Sequence, residues 1–331
     1  MESFDLVIIG GGPVGLFSAF YAGRRNMKTS IIEASGELGG QPCNLYPEKE
    51  ILDVPGLKKI SGLEFTKRLI EQAESDHLTI IDQTKVENYE GDLAQGFKLR
   101  CDGSRGKEEI LARSILITTG MGEITPRFLE VGGEERLKDK GVYYYLKTKE
   151  LVSGKKVVVV GGGDSALDWL DLIDDVASEV HLVHRRDEFR AQEESIKKLK
   201  KSKAKLHLNA HITQIYGEEQ VTGVQVLNTA GEKEEITCDV VLVAIGFHIN
   251  LGSIGKWPLE MEKGSIVVKS DMETSVPGIF AAGDVAYTPG VGSSKLIVIG
   301  FGQGAIAVNT AKTRIDPAAA FFPGHSTGWK L

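Results

Sequence analysis

The run DLVIIGGGPVG at residues 5–15 decides the fold. An unbroken apolar stretch at 5–9 reads as a strand buried on both faces, the three glycines as a tight turn, and residues 14–24 as the helix that follows. Residues 29–33 make the next strand, so the chain opens on a βαβ unit. Gly10, Gly12 and Gly15 satisfy GxGxxG: the first permits the turn, the second lets backbone amides approach a pyrophosphate, and the third allows close helix–strand contact. Pro13 belongs to the same nucleotide loop, and the N-terminus of the helix that follows favours anions. Glu33 ends the second strand about twenty residues further on, where a carboxylate accepts bonds from ribose hydroxyls and disfavours a 2′-phosphate.

The pattern returns at KVVVVGGGDSA, residues 156–166. A strand at 156–160 leads into Gly161, Gly163, Asp164 and Ser165 at the head of a helix over 165–176, and a further strand runs 180–184. Here no acid closes the second strand. His184, Arg185 and Arg186 stand in its place, with Arg190 one helical turn beyond, and guanidinium forks suit an adenosine 2′-phosphate. NADPH is therefore expected in preference to NADH; the alternative for HRRDEFR is a solvated helix start with local salt bridges.

Two runs, ILITTG (115–120) and VLVAIG (241–246), end buried strands in glycine and mark the close of each unit. Residues 97–101 and 110–117, and later 221–227 and 235–243, read as antiparallel strands, so each unit carries a β-meander. The expected class is α/β, with two Rossmann-like domains that each combine a parallel sheet with such a meander. Residues 1–118 and 247–331 form the first domain, and 119–246 form a second inserted into it. FAAGDV (280–285) places Asp284 at a strand end, where it suits a ribityl hydroxyl of FAD; an Asp-capped turn is the alternative. A last helix is expected near 302–314, its positive end available to a flavin pyrimidine.

Composition narrows the function. The 331 residues carry a formal net charge of −7, against the positive excess that nucleic-acid binding requires. The apolar runs fall far short of the roughly 20 residues of a membrane helix, and the acidic, glycine-broken start is unlike an export signal; a cytoplasmic protein is expected, with neither nucleic acid nor membrane as partner. Cys43, Cys101 and Cys238 form no CxxC and no cluster with histidines, so neither a disulfide framework nor a metal site is expected.

GGGPVG, GGGDSA, HRRDEFR and FAAGDV, matched in order over nearly the whole chain, resemble the flavin disulfide reductase superfamily and its low-molecular-weight thioredoxin reductases. The redox CxxC of those enzymes falls here on Tyr145 and Thr148, which cannot exchange with a disulfide. The chain is instead similar to the thioredoxin-reductase-type ferredoxin–NADP+ reductases, through GGQ (39–41), LYPEK (45–49) and the terminal HST (325–327). That resemblance implies FAD and NADPH/NADP+ as cofactors, hydride transfer to the flavin, single-electron delivery to ferredoxin or flavodoxin, and a homodimer. It implies that Tyr46 stacks on one flavin face and His325 of the partner's tail covers the other, with Ser326 or Thr327 as the hydroxyl near the reacting atom. It also points to Glu33, Gln41, Val86, Ile124, Asp284 and Thr327 as FAD contacts. Without the resemblance, Tyr46 reads as a packing residue and His325 as part of a loose tail. The lysine-rich stretch 197–205 is either a docking surface for an acidic carrier or a solvated helix end. Two other functions stay open: reduction of a low-molecular-weight disulfide through Cys43, and a non-catalytic flavin redox sensor.

Overall fold

The computed structural model describes residues 2–104 and 106–325. The chain divides into two compact units, Met1–Glu123 with Ile249–Leu331, and Ile124–His248; the divisions fall at 123/124 and 248/249, a few residues beyond the expected 118/119 and 246/247.

In the first unit the strand Ser3–Ile9 is central, with Leu6, Val7 and Ile8 fully buried. It pairs in parallel with Thr29–Ile32 on one side and with Gly106–Ile117 on the other. Leu78–Ile81 extends the sheet beyond the former, and Ile279–Ala281 lies parallel to the latter. The strand Gly106–Ile117 does two jobs. Its first half is antiparallel to Gly96–Gly103, which pairs in turn with Thr84–Asp92, while its last residues belong to the parallel array. Burial follows the change: it alternates over Glu109–Arg113, as a half-exposed strand must, and is continuous over Ser114–Ile117, where both faces are covered.

Helices flank this sheet. Gly62–Ala73 begins at Ser61, whose Oγ accepts from the Glu64 N–H at 3.3 Å, and buries Phe65, Leu69 and Ala73 along one stripe. The last helix runs Ile297–Ile315 and so starts five residues before the expected 302. Gly300, Gly302 and Gly304 look like breakers in the sequence. Two of them instead permit contact: a Cβ on Gly300 would lie 2.4 Å from Val14 Cγ2, and one on Gly304 would lie 2.4 Å from Ser18 Oγ, so the helix rests directly on Pro13–Arg24.

The second unit holds a five-stranded parallel sheet in the order Val142–Tyr143, Val240–Val243, Lys156–Val160, Glu179–His184, Lys205–Leu208. Beside it in sequence stands the antiparallel meander Ala210–Gly217, Val221–Asn228, Lys233–Ile236. The stretch 235–243, expected as one antiparallel strand, divides. Lys233–Ile236 closes the meander, and Val240–Val243, buried on both faces, joins the parallel sheet beside Lys156–Val160. Asp239 marks the change by accepting the Lys156 N–H at 2.8 Å.

Candidate functional site

The first glycine loop is shaped by close approaches. Gly10 has φ +107° and a Cβ there would lie 2.7 Å from the Thr118 carbonyl; a Cβ on Gly15 would lie 2.0 Å from the Gly10 carbonyl. Gly12 is different: the nearest atom to a Cβ built on it is 3.9 Å away, so its face is open. It caps the Pro13–Arg24 helix with extended backbone and no side-chain bond, leaving the first-turn amides to another partner. Glu33 secures the loop from the side. Its Oε2 accepts the Gly11 N–H at 2.7 Å and its Oε1 the Ser35 N–H at 2.9 Å, and each oxygen keeps a second lone pair for a ligand hydroxyl.

A second segment lies on this loop. Gly39 N–H donates to the Gly11 carbonyl at 2.8 Å, and a Cβ on Gly40 would lie 2.9 Å from Gly12 Cα. This contact delivers Gln41, whose side chain hydrogen-bonds the Asp284 carboxylate. Burial pushes the Asp284 pKa up, opposed by Lys295 and by the Gln41 bond. Tyr46 is half-buried, its phenol pushed up to about 12 by burial and then by Asp284 and Asp53. Glycine loop and Gln41 segment are thus in contact, and Gln41 and Tyr46 each interact with Asp284 in the same unit. Val86 is buried on Thr84–Asp92, a strand whose first N–H donates to the Glu33 carbonyl at 2.9 Å. Sequence reading missed Thr119. It follows the strand that underlies Gly10, and its Oγ1 is buried with no partner among the described residues. A hydroxyl at the glycine-bounded end of a buried strand was the available signal.

The other expected site residues lie elsewhere. Ile124 is the first residue of the second unit, on Glu123–Pro126. His325 is exposed, its ring edge-on to Phe322 at 5.2 Å. Ser326 and Thr327 lie outside the described residues.

At the second loop, Gly161 has φ +148° and a Cβ on it would lie 2.3 Å from the Ala244 carbonyl. Gly163 caps the helix Asp164–Ile173, again with extended backbone and no side-chain bond. Asp164 accepts the Gln192 N–H at 2.8 Å, and Ser165 is exposed on the first turn. The segment after His184 corrects the expected helical turn. Residues 185–190 are non-helical and fold back onto the glycines: Arg190 N–H donates to the Gly162 carbonyl at 2.8 Å, and the helix Glu193–Leu199 starts only afterwards. His184 is the reason. A Cβ on Gly162 would lie 2.2 Å from its ring, which stacks on Phe189 and meets the Glu188 carbonyl at 3.0 Å, so the chain turns around the imidazole. Arg185, Arg186 and Arg190 are all exposed. Of the lysine-rich stretch, Lys198 pairs with Asp171 at 2.7 Å, Lys197 with Glu194 at 4.0 Å, and Lys205 with Glu179.

Tyr145 stacks on Phe247 with ring centres 5.5 Å apart, and Thr148 precedes the short helix Lys149–Leu151. The three cysteines are free. Burial drives Cys101 and Cys238 up to about 12, and raises Cys43 with help from Glu37; all three favour the unreactive thiol.

The model of the pyridine nucleotide-disulphide oxidoreductase family matches residues 4–312. The chain is 43% identical over 328 residues to ferredoxin–NADP reductase 2 of Shouchella clausii, covering 98% of each chain. It is 41% identical over 329 residues to the ferredoxin–NADP reductase of Sulfurisphaera tokodaii, covering 99% of this chain and 98% of that one. Among solved structures, T. acidophilum thioredoxin reductase is similar with a TM-score of 0.78 at 28% identity, over 95% of this chain and 99% of that one.

Proposed function

Because the chain belongs to the pyridine nucleotide-disulphide oxidoreductase family, we propose that it is a flavoenzyme that passes electrons between NADPH and ferredoxin. The observation that carries this reading is the full-length likeness to ferredoxin–NADP reductases. It agrees with Tyr145 and Thr148 standing where a dithiol would be needed for disulfide chemistry.

The residues present fit FAD. An uncapped helix end at open Gly12 suits its pyrophosphate, Glu33 a ribose, Asp284 with Gln41 the ribityl chain, and the buried Thr119 hydroxyl gains the partner it lacks. When bound, FAD supplies the exchange between two-electron chemistry with NADPH and one-electron delivery to an iron–sulfur carrier. The protein's share is binding and orientation. Tyr46 offers a half-buried aromatic face for the ring system, and its raised pKa keeps it neutral there. The unit Met1–Glu123 with Ile249–Leu331 is the FAD domain and Ile124–His248 the NADPH domain. In the latter, Gly161, Gly163 and the Asp164 turn receive the pyrophosphate, and Arg185, Arg186 and Arg190 the 2′-phosphate. Val86 and, from the tail, His325, Ser326 and Thr327 complete the flavin site, the tail being given by the partner of a homodimer. Flavodoxin is a second carrier, and the location is the cytoplasm; among the described residues no helix is long and apolar enough to cross a membrane.

The test is anaerobic mixing. NADPH should bleach the flavin of the purified holoprotein, and ferredoxin added afterwards should restore its colour, while low-molecular-weight disulfides should not. Restoration by disulfides and not by ferredoxin would overturn the proposal.

A further inference from the structure

The Asp284 carboxylate depends on a backbone that has just left its sheet. Ala282 N–H makes the last ladder bond, to the Ile117 carbonyl at 3.0 Å. Gly283 then turns to φ +82°, and its N–H no longer points at a strand. A side chain receives it: Gln303 Oε1 accepts the Gly283 N–H at 2.8 Å. Gln303 sits on the last helix between Gly300 and Gly304, the two residues that let this helix lie against Val14 and Ser18. The amide is therefore presented from a backbone that is held close, and reaches the turn without stretching. Two further ties complete the turn, the Ala286 N–H to the Gly283 carbonyl at 2.9 Å and the Ser293 hydroxyl to the Asp284 carbonyl at 3.3 Å.

We propose that Gln303 is the positioning residue of the flavin site: by accepting the Gly283 N–H it fixes the turn that aims Asp284, and it acts through Asp284 without touching the cofactor. The proposal rests on the flavoenzyme reading above. Its physical content is the acceptor. A glutamate at 303 keeps an oxygen in the same place, whereas methionine fills the space and leaves the part-buried Gly283 N–H without a partner, free to rotate the turn in search of one.

The experiment titrates apoprotein with FAD and reads the quenching of flavin fluorescence, with thermal melting of each apoprotein alongside. Gln303→Met should raise the FAD dissociation constant at least about tenfold while the apoprotein melts within a few degrees of wild type, and Gln303→Glu should bind within about threefold of wild type. Gln303→Met binding FAD as tightly as wild type would overturn the inference, and so would Gln303→Glu binding as weakly as Gln303→Met. Those outcomes leave the flavoenzyme reading intact, because wild-type protein still takes up FAD. Wild-type apoprotein that takes up no FAD overturns both.

Discussion

His181 and His207 face each other on neighbouring parallel strands, Nδ1 of the first 2.9 Å from Nε2 of the second, with the rings stacked 5.2 Å apart. Each ring has a carboxylate at its far nitrogen: Glu179 Oε1 lies 3.3 Å from His181 Nε2, and Glu234 Oε2 lies 3.1 Å from His207 Nδ1. Glu179 also receives Lys205, with Lys156 at 3.7 Å.

This arrangement gives the second unit a pH dependence. Burial, and then His207, lowers the pKa of His181 below the usual value of about 6.5, with Glu179 opposing. The fold therefore prefers neutral His181, and the unfolded chain takes up the proton first. The stability is complete above about pH 6.5 and is lost as the pH falls through the lowered value. Wild-type protein should melt a few degrees lower at about pH 5.5 than at about pH 7.5, and His181→Gln should reduce that difference. Calorimetric scans with equal differences for both proteins would exclude His181 as the source.

The arginines after the second loop are the next target. Arg190 is held through its backbone on Gly162, so truncating its side chain leaves the loop in place. Loss of charge-assisted bonds to a 2′-phosphate costs about 1.5–3 kcal/mol each. Arg185→Ala with Arg186→Ala should raise KM for NADPH by about a hundredfold or more, and Arg190→Ala by about tenfold, with KM for NADH nearly unchanged. Steady-state kinetics with both nucleotides decide it; parallel changes in the two KM values would show that the guanidinium groups do not read the phosphate.

Both glycine loops were legible because their glycines answer to contacts that any side chain would break, at Gly10 against Thr118 and at Gly161 against Ala244. The positions of Glu33, Arg185 and Arg186 were legible because each follows directly on a strand at a fixed distance from its loop. What escaped reading depended on partners distant in sequence. The last helix starts at Ile297 because Gly300 and Gly304 meet Val14 and Ser18, some 286 positions earlier for each pair; local propensity sees only three helix breakers. The course of 185–190 is set by the His184 ring under Gly162, and Gln303 was unreadable because nothing local joins a helical glutamine to Gly283. The break at residues 237–239 was half legible, since the alternation ends there, but an apolar run alone does not say which sheet it joins.

Thr119 offers a test of the flavin site that separates binding from stability. Its Oγ1 is buried without a partner among the described residues, so removing the hydroxyl relieves a desolvated group in the apoprotein and removes a donor from the holoprotein. Thr119→Val, nearly isosteric, should leave the apoprotein melting temperature equal or higher and weaken FAD binding by about three- to tenfold, as expected for one hydrogen bond of about 1 kcal/mol. A variant that binds FAD as well as wild type would place the hydroxyl outside the cofactor's reach.

Cys43 decides between electron transfer and thiol chemistry. It lies in the Gly40–Asn44 helix beside Gln41, close enough to the proposed flavin site to deserve the question. A redox thiol needs a thiolate, and burial together with Glu37 moves Cys43 the other way. A Cβ built on Gly39 would lie 2.9 Å from Cys43 Cβ, which makes the residue a packing element against the turn that carries Gln41. Cys43→Ser should therefore keep ferredoxin reduction by NADPH within about twofold of wild type, with at most about 1 kcal/mol lost in stability from the more polar atom. Turnover lower by more than about tenfold with FAD content unchanged would mean that the sulfur carries electrons, and would return the low-molecular-weight disulfide reaction to first place.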